Sequence, residues 1–301
     1  MKNSHVSLFV LYFVIILFAG CGTGLSPAEK AEADKGIAEH GTKAVAQYLF
    51  HNREASNPKI LKYLISQGAD VNALDKLMGF TPLSMASDNI ELVKILISKG
   101  ADVNAKSKNG LSFLDSAIDI SNIELVKFLI FKRIININAK NSNGLSLLHR
   151  AAKDGNIELA KFLISNGADV NIKKDVSEST PIFLAVIAGN FEMVKFLISK
   201  GADVNVKDKL GQTLLHGIEN SENFEIVKLL VSKGLDVNAK SSIGSNPLYN
   251  AACSGNLETV KFLVSKGADV NVKDNIGKTP LDTAKLFDNE SVVEYLSSLQ
   301  K

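Results

Sequence analysis

Side chains able to do chemistry are few in this chain and widely spaced. Two cysteines, Cys21 and Cys253, and five histidines are the candidates for nucleophiles or metal ligands among 301 residues. Cys253 has no partner for a disulfide framework. A reactive thiolate is one reading of it, but its place directly after Ala251 and Ala252 suits a small inert residue better. His149 and His216 stand at equivalent positions two repeats apart, and neither has a second ligand at metal spacing, so no metal site is expected. Glu91, Glu124, Glu158, Glu192, Glu225 and Glu258 each precede by three residues a lysine, namely Lys94, Lys127, Lys161, Lys195, Lys228 and Lys261. At that spacing the two charges share a helix face, worth a few tenths of a kcal/mol per pair, with the glutamate near the positive helix end. That is a structural pattern rather than paired acid and base. HExxH, GxSxG, paired CxxC and a phosphate-binding glycine loop are all missing from the sequence, and Gly22 and Gly24 make only a GxG beside Cys21. The chain is therefore expected not to be an enzyme and to hold no cofactor.

The elements that position these residues are copies of one unit, seen best at Asn143 to Lys173. Asn143 and Gly144 form a turn. Leu147, Leu148, Ala151 and Ala152 recur at helical spacing, with alanines where another backbone must come close. Asp154, Gly155 and Asn156 interrupt, and Ile157, Leu159, Phe162, Leu163 and Ile164 make the apolar stripe of a second helix. Gly167 ends it and an extended strip leads to the next turn. Two helices this short cannot bury both apolar faces alone, so the unit has to stack on copies of itself.

The copies are present. Asn72, Asn104, Asn138, Asn171, Asn205, Asn238 and Asn271 close a GADVN-like strip at intervals of 32, 34, 33, 34, 33 and 33 residues. Thr81, Pro82, Leu83 and Ala86, then Thr180, Pro181 and Ala185, then Thr279, Pro280, Leu281 and Ala284 carry a TPLxxA-type signature. From about residue 57 onward the chain resembles the ankyrin repeat, whose unit has this length and this signature. The resemblance implies an all-α fold, an ankyrin-repeat solenoid of stacked helix-turn-helix units joined by β-turn fingers. It also implies that His149 and His216 tie their own turns together by hydrogen bonds. Ser84, Asp115, Phe183, Tyr249 and Asp282 replace that histidine elsewhere. Arg133 stands where a glycine is expected and one extra residue follows, so the finger from Ile134 to Lys140 should be distorted. Two residues are missing between Ala86 and Glu91, which should shorten that inter-helix turn.

Composition, with 46% hydrophobic and 22% charged residues and a formal charge of +2, excludes general disorder and a nucleic-acid-like basic excess. Residues 1–20 read as a signal peptide: Lys2, an apolar run from Val6 to Phe18, then Ala19 and Gly20. With Cys21 next, the segment is similar to a bacterial lipoprotein signal, although Phe18 stands where that family usually has leucine. The similarity implies cleavage before Cys21 and a lipid on its sulfur, which tethers the protein to a membrane in the bacterial cell envelope. Gly22 in place of an inner-membrane retention aspartate favours the outer membrane; the alternatives are an ordinary cleaved signal, giving a secreted or periplasmic protein, and an uncleaved anchor. Residues 21–26 form the lipidated cysteine and a short linker. Residues 27–77 form a degenerate capping helix pair whose second helix starts near Pro58, and residues 78–301 form seven repeats, the last a C-terminal cap.

Such a chain is expected to be a monomeric, membrane-tethered module that binds another protein on the surface formed by its fingers and first helices. The residues singled out for that surface are the finger tips Leu210, Ile243 and Ile276, the first-helix residues Cys253, Leu286 and Phe287, and the finger lysines Lys207, Lys240 and Lys273. Apolar residues rimmed by lysine have the composition of an interface. Packing of the tips on neighbouring fingers, and simple solvation of the lysines, are the competing readings. No nucleic-acid partner is expected. The alternative function is binding of an acidic non-protein ligand, nucleic acid or an envelope polyanion, through the finger lysines.

Overall fold

The computed structural model describes residues 24–52, 56–120, 123–217 and 224–300. The chain divides into two compact units, Met1–Ile134 and Ile135–Lys301. The described residues of both are helices and the loops between them. Strand pairing among the described residues is confined to two isolated bridges, Lys106 with Ser112 and Lys140 with Ser146, at the bases of two fingers. The all-α solenoid inferred from the repeats is the architecture found.

The first unit contains α1 (Pro27–His40), a 3-10 turn (Gly41–Lys43), α2 (Ala44–His51), α3 (Pro58–Ser66), α4 (Pro82–Met85), α5 (Ile90–Ser98), α6 (Phe113–Ile120) and α7 (Ile123–Phe131). The first helices α2, α4 and α6 stack in order, and α3 packs on α5. Between Pro27 and Gln67 there are thus three helices where the sequence suggested two. The pair that stacks on its neighbours is α2 with α3, and α1 is an addition packed on both. The reason is Gly41, whose φ of 56° ends α1 outright, so that the chain restarts as a new helix. Ser26 and Glu29 form a capping box at its start. Polar clamps then hold α1 down: Asn57 Nδ2 donates to Glu29 Oε1 at 2.7 Å, and the Tyr63 hydroxyl donates to Asp34 at 2.6 Å. The two residues missing before Glu91 shorten the first helix as well as the turn, leaving α4 a single turn of four residues.

The second unit contains α8 (Leu147–Asp154), α9 (Ile157–Ser165), α10 (Pro181–Ile187), α11 (Phe191–Ser199), a 3-10 turn (Leu214–Gly217), α12 (Phe224–Ser232), α13 (Pro247–Cys253), α14 (Leu257–Ser265), α15 (Pro280–Leu286) and α16 (Glu290–Ser298). Here α8, α10, the 3-10 turn, α13 and α15 stack successively, and α11, α12, α14 and α16 do the same behind them. Pro181, Pro247 and Pro280 start their helices from the first turn, where a missing N–H costs nothing. Asn156 and Asn256 cap the second helices by accepting from Leu159 and Thr259 N–H, both at 3.0 Å. The helices meet through Leu83, Ala86, Val93, Leu96, Ala151, Leu163, Ala185, Leu197, Leu248, Ala251 and Leu263, all buried as their spacing requires.

The finger from Ile134 to Lys140 is less distorted than its sequence suggests. Arg133 adopts the left-handed φ of 54° that glycines adopt at this place in other repeats, and its N–H still reaches the Ile130 carbonyl at 2.9 Å. Downstream, Asn138 N–H donates to Asn136 Oδ1 at 2.8 Å, as Asn104 N–H does to Asp102. The extra residue is absorbed between these two fixed points.

Candidate interaction surface

Successive fingers of the second unit are fastened by backbone. Lys209 N–H donates to the Ser177 carbonyl at 2.9 Å, Ser242 N–H to Leu210 at 2.8 Å, and Asn275 N–H to Ile243 at 2.9 Å. The approach is close because the turn carries glycine: a Cβ on Gly244 would stand 2.9 Å from Asn275 Oδ1 and 3.2 Å from the Asp274 Cα. Deeper in, the strip asparagines stitch one finger to the next. Asn171 Oδ1 accepts from Asp203 N–H at 2.8 Å while its Nδ2 donates to the Gly201 carbonyl at 3.2 Å; Asn238 repeats this with Asp269 and Gly267, at 2.7 and 2.8 Å. Read along the sequence, these asparagines are only markers of the period. Their role lies in a contact some thirty residues away, which a single unit does not reveal.

At the finger tips it is the backbone that packs, and the side chains stand out. Leu210, Ile243 and Ile276 are 54%, 51% and 79% exposed. Leu286 and Phe287, at the end of α15, are also exposed, whereas Cys253, their counterpart at the end of α13, is half-buried. Tips and helix ends form two groups. They lie beyond opposite ends of the first helices, and α13 with its 7 residues is roughly 10 Å long.

Of the finger lysines, Lys140 is committed to Asp175 at 2.6 Å and Lys173 to Glu178 at 3.0 Å. Lys207, Lys240 and Lys273 are exposed and make no ion pair among the described residues. The neighbouring aspartates are already engaged. Asp208 Oδ1 accepts from Leu210 and Gln212 N–H, both at 2.9 Å. Asp274 accepts from Ile276 and Lys278 N–H, at 3.0 and 2.8 Å, and from the Tyr249 hydroxyl at 3.0 Å.

Sequence reasoning missed Val176, which is 68% exposed on the finger before Leu210 and extends the apolar row to four consecutive fingers. It was hidden because no glycine follows it; Glu178 takes the positive φ of 56° there instead. Tyr249 was noted only as a substitution. Standing where other repeats have histidine, it reaches across to the next finger through Asp274.

His149 and His216 are occupied. His149 Nδ1 accepts from Ser146 N–H at 3.2 Å and lies 2.9 Å from Ser146 Oγ, and its Nε2–H donates to the Ser179 carbonyl of the next finger at 3.0 Å. His216 does the same with Thr213 and Ser245. A carbonyl can only accept, so Nε2 carries the proton and each ring is neutral. Burial pushes the His149 imidazole down to about 4 and lowers that of His216 as well. Where Phe183 replaces the histidine, the Thr180 hydroxyl is buried without a partner. Among the described residues no group of three or more His, Cys, Asp or Glu could hold a metal ion.

Cys21 and the segment read as a signal peptide lie outside the described residues. Among those described, no helix is long and apolar enough to cross a membrane.

The family model described as Ankyrin repeats (3 copies) matches residues 49–141, 114–208, 148–241 and 214–301. A protein of Acanthamoeba polyphaga mimivirus, named as an ankyrin repeat protein, is 41% identical over 56 residues, which is 18% of this chain and 42% of the viral protein. The match thus spans about two fifths of that relative's length.

Proposed function

The chain belongs to the ankyrin-repeat family, whose repeats generally mediate protein–protein interaction, and from that premise we propose that it is a membrane-tethered docking module for another protein. The observation that carries this reading is the row of exposed apolar tips Val176, Leu210, Ile243 and Ile276 beside three unpaired lysines, Lys207, Lys240 and Lys273. Apolar side chains with cationic neighbours suit a partner face that is apolar at its centre and acidic at its edge. Leu286 and Phe287 offer a second apolar contact at the far end of the last first helix.

The tether is Cys21, supported by the apolar run from Val6 to Phe18 and the Ala19-Gly20-Cys21 sequence after it. It places a monomeric domain at a membrane of a bacterial envelope, the outer one favoured by Gly22. Cys21→Ser abolishes incorporation of labelled lipid on this reading; unchanged labelling removes the anchor.

The docking surface is tested with Ile243→Asp and Ile276→Asp in one variant. Wild type and variant are compared for capture of partner from envelope extracts and for melting temperature. Loss of binding with the melting temperature held supports the site. Loss of both assigns the two residues to packing, and loss of neither removes the surface.

A second reading, an acidic non-protein ligand, is favoured by one observation: Lys207, Lys240 and Lys273 are free while Lys140 and Lys173 are paired. Binding of a polyanion falls steeply with salt, whereas docking centred on apolar tips does not.

A further inference from the structure

The N-terminal helix that the repeat pattern does not account for makes a cleft of its own. Between α1 and α2 lies an open cavity of about 210 Å³, lined by Glu32, Lys35, Gly36, Glu39 and His40 of α1 and by Gln47 and His51 of α2. Its floor is apolar, formed by Ala33, Ala44 and Leu64, each almost fully buried. Three features set it apart from an ordinary surface dent.

One is Gln47. It is 5% exposed, yet its Nε2 has no hydrogen-bond partner, and neither has Nδ1 of His40. Buried polar atoms left unpaired are uncommon and costly, and these two line the same cleft. The terminal amide torsion of glutamine is soft, so Nε2 can turn toward an acceptor that enters. Another is Gly36, in the interior of α1 where glycine disfavours a helix. Beyond its chain neighbours and the backbone of its own helix, no atom lies within 4 Å of where its Cβ would stand, so packing does not require a glycine there. The missing side chain instead leaves a notch midway between Glu32 and Glu39 on the same helical stripe. The last is charge. Two carboxylates face one ammonium, Lys35, which is 3.8 Å from Glu39. His51 Nδ1–H donates to the Gln47 carbonyl at 2.8 Å, which leaves Nε2 as a further acceptor. The cleft is thus anionic and rich in acceptors, with one unmet donor at its wall.

We propose that this cleft binds a basic amino-acid residue, with its cationic head between Glu32 and Glu39, its methylenes over Ala33, Ala44 and Leu64, and its carbonyl oxygen on the Gln47 amide. A volume of about 210 Å³ is below that of sites for drug-sized ligands and suits one long side chain. Arginine fits better than lysine, because a planar guanidinium with five donors can bridge two carboxylates. The site lies on helices apart from the finger surface, so it does not depend on the docking function. The residue comes either from a peptide or as the free amino acid, and the two sources are separable.

The test is calorimetric titration of the full chain with Nα-acetyl-L-arginine amide, with free L-arginine, and with the uncharged isostere Nα-acetyl-L-citrulline amide. Saturable binding of at least one arginine probe, at least tenfold tighter than the citrulline compound, is the expected result. A tighter capped probe indicates a peptide source, and a tighter free amino acid indicates the other. Gly36→Ala fills the notch and should weaken binding at least tenfold while raising the melting temperature, so the loss cannot come from unfolding. Gln47→Leu should weaken it severalfold. Absence of saturable binding by both arginine probes, equal affinity for citrulline, or undiminished binding in Gly36→Ala overturns the proposal.

Discussion

His149 serves the fold only while it is neutral, because Nδ1 must accept from Ser146 N–H as Nε2–H donates across to Ser179. A proton added to Nδ1 would set donor against donor in a buried site. The consequence for pH follows from linkage. Unfolded, the imidazole titrates near 6.5, and folded it titrates at about 4 because burial disfavours its charged form. Between those values the unfolded chain binds a proton that the folded chain refuses, so stability is fully present above about pH 6.5 and declines as pH falls toward 4. The shift corresponds to about 3 kcal/mol at the acid end, and His216 acts in the same direction. Carboxylates held low by hydrogen bonds, such as Glu29 and Asp282, also lose their contribution in acid. The histidine's share is therefore isolated by a variant. His149→Phe, the residue this protein itself uses at position 183, should flatten the dependence of denaturation free energy on pH between 6.5 and 4. A slope equal to wild type would show that His149 contributes nothing to the acid sensitivity, leaving it to His216 and the carboxylates.

At the scale of elements, the chain carried most of its own plan in plain view. Second helices were legible because an asparagine, an apolar stripe and a glycine recur in fixed order, and short-range rules cover all three. The fingers were legible as turns, and Leu210, Ile243 and Ile276 as their tips. What the sequence hid were features set by partners far along the chain or by one residue doing another's work. Glu178 at positive φ concealed the tip at Val176, and Gly41 separates two helices in a stretch where the sequence suggested one. Arg133 shows the same substitution with an energetic side. An arginine at φ 54° bears a strain of roughly 1 kcal/mol that glycine does not. Arg133→Gly should therefore stabilise the chain by about that amount, less what the unfolded glycine gains in freedom. Urea denaturation of the two proteins measures it. A loss of stability would mean that the Arg133 side chain makes contacts worth more than the strain.

For the molecule as a whole, repeats that touch only their neighbours imply that damage at one joint should stay near it. The joint before the last repeat is well defined. Asn289, at the start of α16, donates from Nδ2 to the carbonyls of Ala252 and Cys253, at 2.8 and 2.9 Å, closing the end of α13. Gly255 lies beside this contact at φ 72°, and a Cβ there would run into the Asn289 amide. Gly267 offers the control. Its φ is 87°, similarly strained for any other residue, but the space around it is open. Both substitutions by alanine bear a backbone penalty of roughly 1 kcal/mol, whereas only Gly255→Ala also disturbs the two Asn289 hydrogen bonds that tie the terminal repeat to the end of α13. Amide exchange in α15 and α16 should then accelerate about tenfold or more in Gly255→Ala relative to Gly267→Ala, with α8 to α11 protected as in wild type. Equal acceleration in the two variants would show that Asn289 contributes little to the joint. Loss of protection spread evenly over the second unit would show that it opens as one cooperative body, too tightly coupled for its last repeat to release alone.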